Sequence, residues 1–462
     1  MAEAERVVGA YIFARHGDRT AKILGNTQLT DLGYNEVYDT GSFYNGRYIL
    51  SSSDKQIEGI SPLIVKSSQI TASSPADAVL QNSATGFLQG VYPPAGSSAN
   101  QTLANSTTVV SPLSGYQLIP VTSTTSSNSN EGAIWLQGSS DCQAAIVSSN
   151  DYYNSVSYNS LLKSTKDFYQ SLAPMLNSTF TTSQMTFKNA YSIFDYLNVA
   201  QIHNSTDEYP ALKDLTDETY AQLLQLANNQ QYNLAFNQSE TVRAIDGAVL
   251  AGEILSSLND TIATNGKSKL AISFGSYAIF FSFFGLVQLP AASVDFTGIP
   301  DYASSMAFEL VTNATGTGIP AESELSVRFM FHNGTMTGSA EPTVYPLFGQ
   351  SNDLLSWSDF KTNMEKIAVT SDAQWCDLCG NTDGKCATST PSTSSSDSSS
   401  SPTSSSGGMS RAVAGVIGAM VTLAVILGLQ AVFFLVGGFR ISKRNKAAPE
   451  MVTSDNASAE KK

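Results

Sequence analysis

The chain has 462 residues, of which 42% are hydrophobic, and its 39 acidic residues outnumber 25 lysines and arginines, for a formal net charge of −14. A chain of this length and apolar content can bury a large core, so we expect one large domain with a cap or insertion. The excess negative charge repels nucleic acid, and we expect no nucleic-acid partner.

The first predicted element is a strand buried on both faces, because the run Val7 to Phe13 is rich in Val, Ile and aromatic residues. No basic and apolar signal sequence precedes this strand, and we expect the true amino terminus to lie further upstream. The alternative is that a carboxyl-terminal segment alone inserts the chain into the membrane, in which case glycosylation motifs carry no meaning. A polar hexapeptide, Arg15-His16-Gly17-Asp18-Arg19-Thr20, follows the strand. Ligands bind at this end of the strands in open α/β sheets.

The hexapeptide contains residue types that suit a phosphoryl group. Guanidinium forks match phosphate oxygens, so Arg15 and Arg19 are candidate phosphate ligands. An imidazole can attack phosphorus and carry a covalent intermediate, which makes His16 the candidate nucleophile. Gly17 lets backbone N–H groups approach an anion. Asp18 is a candidate proton donor, and a structural role as a hydrogen-bond acceptor at the strand end is the alternative.

The hexapeptide and two later segments resemble the histidine acid phosphatases, the phytase-like branch of the histidine phosphatase superfamily. The later landmarks are Leu29-Thr30-Asp31-Leu32-Gly33 followed by Arg47-Tyr48, and Asn82-Ser83-Ala84 leading into Phe87-Leu88-Gln89-Gly90. The resemblance covers Val7 to Cys386 and suggests a membrane-anchored member of fungal type. It implies an α/β three-layer sandwich around a mostly parallel sheet, of the phosphoglycerate mutase type, with a helical cap domain. It also implies phosphomonoester hydrolysis through a phosphohistidine, without a cofactor or a metal ion.

Capping and periodicity predict the next elements. Thr30 can cap a helix, a strand is expected at 70–72, and a second helix at 77–90. The predicted organisation is, in chain order, the amino-terminal part of the α/β domain at 1–90, a loop-rich insertion and helical cap at 91–230, the carboxyl-terminal part of the α/β domain at 231–386 with strands at 270–274 and 325–331, a Ser/Thr-rich stalk at 387–410, a transmembrane helix at 411–439 and a cytosolic tail at 440–462.

The carboxyl-terminal segments predict a membrane anchor. In the stalk, 17 of 24 residues are Ser or Thr, a composition that cannot bury a core. The next 28 residues, 412–439, carry no charge and are long enough to span a bilayer. Four basic residues between 440 and 446 follow, against a single arginine on the other side. This asymmetry predicts a single-pass type I protein with its large domain extracellular or lumenal.

Eight Asn-x-Ser/Thr sequons precede the predicted span, at Asn100, Asn105, Asn177, Asn204, Asn237, Asn259, Asn313 and Asn333. A chain rich in Asn, Ser and Thr produces some sequons by chance. Their number, alongside a membrane span, favours passage through the secretory pathway and glycosylation.

Four cysteines fit an oxidising compartment. Cys376, Cys379 and Cys386 are clustered, and Cys142 is distant in sequence. We expect disulfide bonds among them, and all three possible pairings remain open. Zinc would need the same thiols reduced, so no metal site is expected.

Two groups that the resemblance leads us to expect are missing. In the family, a His-Asp motif supplies a histidine that binds phosphate and an aspartate that protonates the leaving group. Here Ser273-Phe274-Gly275-Ser276 stands at that place, and Val79 stands where a third phosphate-binding arginine is expected.

Few side chains could replace the missing groups. His203 and His332 are each followed by a sequon, and we interpret both as solvated surface histidines. Arg243 could supply the missing positive charge, but a salt bridge on a helix surface is the simpler interpretation.

Two functions therefore remain open. The first is an acid phosphatase at the cell surface or in the secretory pathway. The second is a glycosylated surface module that keeps the fold and part of the anion pocket without catalysis. The expected partner is a phosphomonoester substrate or another anionic ligand, and the sequence does not determine an oligomeric state.

Overall fold

The structure, a computed structural model, describes residues 5–124, 141–338, 340–382 and 386–387. The strands are β1 (Arg6–Arg15), β2 (Ile70–Pro75), β3 (Gln101–Thr102), β4 (Thr108–Val109), β5 (Val121–Thr124), β6 (Leu270–Gly275), β7 (Ser305–Thr312), β8 (Leu325–His332), β9 (Thr343–Val344) and β10 (Leu354–Ser356). The α-helices are α1 (Asp31–Tyr44), α2 (Ala78–Val91), α3 (Pro112–Gly115), α4 (Gln143–Asp151), α5 (Val156–Ser164), α6 (Lys166–Ser171), α7 (Ala173–Leu176), α8 (Ala190–His203), α9 (Asp217–Ala235), α10 (Ile245–Ala263), α11 (Tyr277–Leu286), α12 (Trp357–Glu365) and α13 (Asp372–Cys379).

The elements predicted from capping and apolar runs are confirmed. The first strand is β1, which extends to Arg15. Thr30 caps α1 through its hydroxyl, which accepts the N–H of Gly33 at 3.0 Å. Asp77 caps α2 in the same way, accepting the N–H of Leu80 at 3.0 Å. The strands expected at 70–72, 270–274 and 325–331 are β2, β6 and β8.

A mixed sheet forms the centre of the molecule, in the order β10-β8-β7-β1-β6-β2-β5, with β9 paired to β8. β1, β6, β2 and β5 pair in parallel, whereas β7, β8, β9 and β10 pair antiparallel. The strands β1, β2, β5, β6 and β8 thus run in one direction, so the predicted α/β fold around a mostly parallel sheet is confirmed. β5 falls within the predicted insertion but belongs to this sheet.

Both faces of the sheet are covered, as the apolar run in β1 predicts. Side chains such as Tyr11 and Phe13 face a core built with α10, α11 and α12. The alternate side chains, such as Ile12 and Ala14, face a second core built with α1 and α2. The helices α1 and α2 touch through their backbones, since a Cβ on Gly41 would stand 2.0 Å from the carbonyl oxygen of Phe87.

The helices α5 to α9 share a third core rich in aromatic side chains, and we refer to these helices as the cap. Tyr277 and Phe281 of α11 join this core, so the cap packs directly on the element that follows β6. The cap is therefore held close to the carboxyl ends of the parallel strands.

All four cysteines form disulfide bonds. Cys142 pairs with Cys379, and Cys376 pairs with Cys386. This resolves the pairing that the sequence left open. The first bond joins the start of α4 to the end of α13 across 237 residues.

The predicted stalk beyond residue 387, the transmembrane helix and the cytosolic tail lie outside the described residues. Within the described ranges, every helix is too short or too polar to cross a bilayer.

Candidate active site

The hexapeptide lies at the carboxyl end of β1, where neighbouring elements meet it. Arg15 pairs in register with Gly275, the last residue of β6. Its N–H donates to the carbonyl of Ser304 at 2.8 Å, and the N–H of Ala303 donates to the carbonyl of His16 at 3.0 Å. The segment that leads into β7 therefore packs directly against the hexapeptide.

Gly17 is required for packing. A Cβ at this position would stand 2.1 Å from the carbonyl oxygen of Gly33, so the hexapeptide and the first turn of α1 are in backbone contact. The N–H of Gly17 donates to Ser83 Oγ at 3.3 Å. This close approach fixes the position of the neighbouring His16.

His16 is only 1% exposed. Its Nδ1 lies 2.8 Å from the carbonyl oxygen of Gly17, so Nδ1 carries the proton and Nε2 keeps its lone pair. Burial, followed by the charges of Arg15 and Arg19, holds the pKa of His16 well below its ordinary 6.5. The imidazole is therefore neutral near neutral pH, which is the form that a nucleophile needs.

Arg15 is held between backbone and aromatic rings. One Nη donates to the carbonyl of Pro300. The guanidinium carbon lies 4.5 Å from the ring centre of Tyr302 and 5.5 Å from that of Tyr277. Such contacts between a cation and an aromatic ring stabilise a buried charge.

Arg19 is fully buried and forms an ion pair with Asp195 of α8. Its Nη2 donates to Asp195 Oδ1 at 3.0 Å and to Tyr191 at 3.1 Å. Its Nη1 donates to Asp195 Oδ2 at 3.3 Å and to the carbonyl of Thr20 at 3.0 Å. A guanidinium has five N–H groups, so only Nε–H remains for a ligand.

Three buried nitrogen atoms of the hexapeptide have no hydrogen-bond partner within the described ranges. They are Arg15 Nε, His16 Nε2 and Arg19 Nε. Buried polar atoms are nearly always hydrogen-bonded in folded proteins, so three unpaired nitrogens within five consecutive residues indicate a ligand site. The two arginine nitrogens are donors, and His16 Nε2 carries a lone pair. This combination suits an anion whose oxygens accept the two N–H groups while the lone pair attacks its central atom.

Asp18 is fully buried, and one of its carboxylate oxygens is saturated. Oδ2 accepts from Thr30 Oγ1 at 2.5 Å and lies 2.6 Å from His203 Nε2. Oδ1 is buried and has no partner among the described residues. His203 lies at the surface, as the sequence indicates, but it also contacts a buried carboxylate, so it is more than a solvated residue. Its side chain is about one-third exposed, but the last turn of α8 directs its ring onto Asp18.

Glu36 of α1 adds a second carboxyl group to this region. Its Oε2 accepts the N–H of Asp18 at 2.7 Å. Burial, reinforced by the neighbouring charge of Asp18, raises the pKa of Glu36 from 4.5 to about 7. Glu36 is therefore protonated over most of the acidic range.

The sequence analysis missed Asp195, Glu36, Lys22 and three tyrosines that surround the arginines, Tyr191, Tyr277 and Tyr302. The Lys22 ammonium lies about 6 Å from the ring centres of Tyr191 and Tyr277 and adds positive charge beside His16. One local signal was available for Asp195, which is a single carboxylate within an apolar stretch of helix. The tyrosines are as common in cores as in sites, so sequence alone did not single them out.

The other sequence candidates lie elsewhere or remain without a ligand role. The side chain of Val79 is buried in α2. Arg243 donates to the carbonyls of Ser148 and Asn233 and lies 3.7 Å from the Glu240 carboxylate, so it joins α4 to α9 and is not a phosphate ligand. The expected salt bridge exists, but the arginine is buried. His332 ends β8 and is half-buried.

The segment at the place of the family's His-Asp motif contributes no acid. Ser273 Oγ lies 2.8 Å from Ser73 Oγ, so it joins β6 to β2. The next functional side chain is Tyr277, whose hydroxyl donates to Gln231 at 2.9 Å. Among the described residues, no group of three or more His, Cys, Asp or Glu side chains could hold a metal ion.

The model of the histidine phosphatase superfamily, branch 2, matches residues 23–332 of the chain. This match begins after the hexapeptide, so the motif and the family model are separate observations. No curated protein matches the chain in sequence.

Solved phytase structures share the fold. A Klebsiella sp. ASR1 phytase is 11% identical with a TM-score of 0.52, covering 79% of this chain and 95% of its own. A Citrobacter braakii phytase is 12% identical with a TM-score of 0.51, and the match covers 81% of this chain and 99% of the phytase. A Hafnia alvei phytase in complex with tartrate is 12% identical with a TM-score of 0.50, and the match covers 81% of this chain and 98% of the phytase. At these identities the likeness concerns the fold alone.

Proposed function

Because the chain belongs to branch 2 of the histidine phosphatase superfamily, we propose that it is a phosphomonoester hydrolase with His16 as its nucleophile. The observation that carries this proposal is the set of unpaired buried nitrogens on Arg15, His16 and Arg19. Two N–H donors can hold phosphoryl oxygens while the His16 lone pair faces phosphorus. The neutral state of His16 supports the same role.

In the first step, His16 Nε2 attacks phosphorus in line. The bond between phosphorus and the ester oxygen breaks, and its electron pair leaves on that oxygen. The leaving oxygen takes a proton from Asp18, and phosphate remains on His16. Arg15 and Arg19 stabilise the negative charge on the phosphoryl oxygens during the transfer.

In the second step, water attacks the phosphohistidine. It returns a proton to Asp18, releases inorganic phosphate and restores neutral His16. The carbonyl of Gly17 holds Nδ1–H throughout, so the ring keeps the orientation that both steps need. No cofactor enters either step.

Asp18 is the proton donor in this proposal, and His203 supplies it with protons. The support is the 2.6 Å contact between His203 Nε2 and Asp18 Oδ2, with Oδ1 left unpaired. His203 is partly exposed and stands at the carboxyl end of α8, so its ring joins the buried carboxylate to the surface. We assign His203 as a positioning residue that acts through Asp18.

A second candidate function is a non-catalytic surface module that binds an anion weakly. The observation in its favour is the Arg19–Asp195 ion pair, which occupies four of the five N–H groups of Arg19 together with Tyr191 and Thr20. An arginine held in this way is a weaker phosphate ligand than a free one.

We also infer that the protein acts outside the cytosol as a type I membrane protein. Two disulfides in the described part of the chain support an oxidising compartment. All eight sequon asparagines lie at the surface, seven of them exposed and Asn237 half-buried, which is the location that glycosylation requires. The membrane anchor itself rests on the apolar segment at 412–439.

The direct test of the mechanism is to trap the intermediate. The purified chain would be mixed with a radiolabelled aryl phosphate and quenched within milliseconds in alkali, which preserves phosphohistidine. We expect label on the chain that is lost on mild acid treatment and absent from His16→Ala. Turnover without any labelled chain would contradict the covalent mechanism.

A further inference from the structure

A cleft of about 1060 Å³ opens at the same edge of the sheet as the hexapeptide. Ala14 of β1 pairs with Ser305 of β7, and Ser305 pairs with His332 of β8. Neighbouring strands lie about 4.8 Å apart, so His332 on the cleft wall stands roughly 10 Å across the sheet from Ala14.

The cleft and the candidate phosphate site share one segment of chain. Pro300 and Asp301 line the cleft. The carbonyl of Pro300 accepts from Arg15, and the ring of Tyr302 covers the Arg15 guanidinium at 4.5 Å. The cleft therefore borders the segment that contacts Arg15, and its volume is sufficient for a drug-sized molecule.

Aromatic rings and amides form much of the cleft wall. Phe331, Tyr345 and Tyr232 are half-buried there, and Phe296 packs edge-on against Tyr345 with ring centres 4.7 Å apart. Asparagine and glutamine side chains of α9 form the facing wall, at Gln225, Asn228, Asn229 and Asn233. Rings and neutral amides suit an uncharged organic group that has a flat face or hydroxyl groups.

The charges at the cleft disfavour a polyanion. None of the described residues that line it is Lys or Arg, whereas Asp295 and Asp301 are acidic. In the adjoining site, Asp195 neutralises Arg19 at 3.0 Å. Each phosphate ester carries about one to two negative charges near neutral pH, so an additional phosphoryl group inside the cleft would meet Asp295 and Asp301 with no Lys or Arg among the described lining residues.

From this arrangement we propose that the substrates are esters with a single phosphoryl group on an uncharged ring alcohol, and that inositol polyphosphates are poor substrates. The inference rests on the proposed function and narrows its substrate class. It also separates this chain from the phytases whose fold it shares.

The test compares kcat/KM for phenyl phosphate, glucose 1-phosphate and inositol hexakisphosphate. The full-length chain would be assayed at pH 5 and low ionic strength, with His16→Ala as the blank. We expect at least one ring monophosphate to be preferred over the hexakisphosphate by about a hundredfold, equivalent to about 2.7 kcal/mol. The two monophosphates distinguish an aryl group from a sugar as the ring.

A matched pair of variants tests the role of the cleft. Gln225→Lys adds a cation to the cleft wall, and Gln222→Lys adds one at an exposed position earlier in the same helix and outside the cleft lining. We expect Gln225→Lys to reduce the ratio of kcat/KM for the ring monophosphate to kcat/KM for the hexakisphosphate about tenfold. Added salt should weaken this effect. We expect little change with Gln222→Lys.

Each outcome decides the inference. Hexakisphosphate turnover equal to or above that of both monophosphates would overturn it, while the phosphatase proposal would stand. The same response of both lysine variants would also overturn it, because the cleft would not hold the leaving group. If no ester is hydrolysed above the His16→Ala blank, the proposed function itself fails and the inference fails with it.

Discussion

Asp195 of the helical cap holds Arg19 of the hexapeptide in a buried two-pronged ion pair, with nitrogen to oxygen distances of 3.0 and 3.3 Å. Asp195 Oδ2 also accepts the backbone N–H of Lys22 at 2.9 Å. A carboxylate of the protein thus takes the two-pronged position that a phosphoryl group would take on a free arginine. Phosphate can therefore use Nε–H of Arg19, but it must displace Asp195 to bind the two Nη atoms.

Replacing Asp195 should therefore strengthen phosphate binding while weakening the fold. Asp195→Asn leaves Arg19 buried without its counterion, which we expect to cost about 3 kcal/mol of unfolding free energy. The freed N–H groups should bind inorganic phosphate about tenfold more tightly than in the parent chain. The melting temperature, measured with and without phosphate, reports both effects.

Glu309→Gln is the matched control for that experiment. Glu309 is a fully buried carboxylate paired with Arg47 at 2.8 Å and Arg328 at 2.9 Å, outside the candidate site. Its replacement should lower the melting temperature without changing the response to phosphate. If phosphate stabilises Asp195→Asn no more than Glu309→Gln, Asp195 does not compete for the clamp.

His203→Gln tests the proton supply to Asp18. A poor leaving group such as an alkyl alcohol needs a proton, and we expect kcat/KM for glycerol phosphate to fall about a hundredfold. A nitrophenol leaves without a proton, so kcat/KM for its phosphate should fall only a few-fold. An equal fall for both esters would make His203 a structural contact of the cap.

Glu36 should impose a pH dependence on stability. Its pKa is about 7 in the folded chain and ordinarily 4.5, so folding takes up a proton between these values. The contribution of Glu36 to the free energy of unfolding is complete below pH 4.5 and is lost as the pH rises through 7. We expect Glu36→Gln to flatten the decline of melting temperature between pH 4.5 and 7.

The control for Glu36 is the same change at Glu218, an exposed residue of α9. Glu218→Gln should leave the decline unchanged. A Glu36→Gln curve parallel to that of the parent chain would show that Glu36 does not titrate in this range.

Local patterns predicted much of the fold. The apolar run Val7 to Phe13 and the polar residues after it located β1 and the hexapeptide, because a doubly buried strand needs a continuous apolar run. The hydroxyl of Thr30 located the start of α1 through its cap. The four cysteines predicted disulfides, although their pairing depends on tertiary distances that spacing does not encode.

The decisive contacts of the site were not predictable in this way. Arg19 and Asp195 are 176 residues apart, and Asp18 and His203 are 185 apart. Both contacts depend on how α8 packs over the sheet, which no local period specifies. The sequon that begins at Asn204 favoured a solvated His203. A sequon indicates exposure of its own asparagine, however, and not of the residue before it.

The strand directions at one edge of the sheet were also missed. β7 and β10 run antiparallel to their neighbours, which follows from the connections between strands and not from their composition. This arrangement matters for function, because it brings His332 and the cleft to the edge where β1 ends.

The proposed secretory location predicts glycans on the native protein. Digestion with an endoglycosidase should increase its gel mobility by the mass of several glycans, because all eight sequon asparagines are at the surface. The same digestion of chain made in bacteria provides the unglycosylated reference. Identical mobility of native and bacterial chains before digestion would contradict the location.

The central claim is tested most directly by phosphate release from phenyl phosphate between pH 4 and 7, with the full-length chain beside His16→Ala. The account predicts turnover in the parent chain and none above background in the variant, with both proteins melting at similar temperatures. Turnover that survives in His16→Ala would contradict His16 as the nucleophile. No turnover in either protein would leave the hexapeptide as an anion-binding site without catalysis.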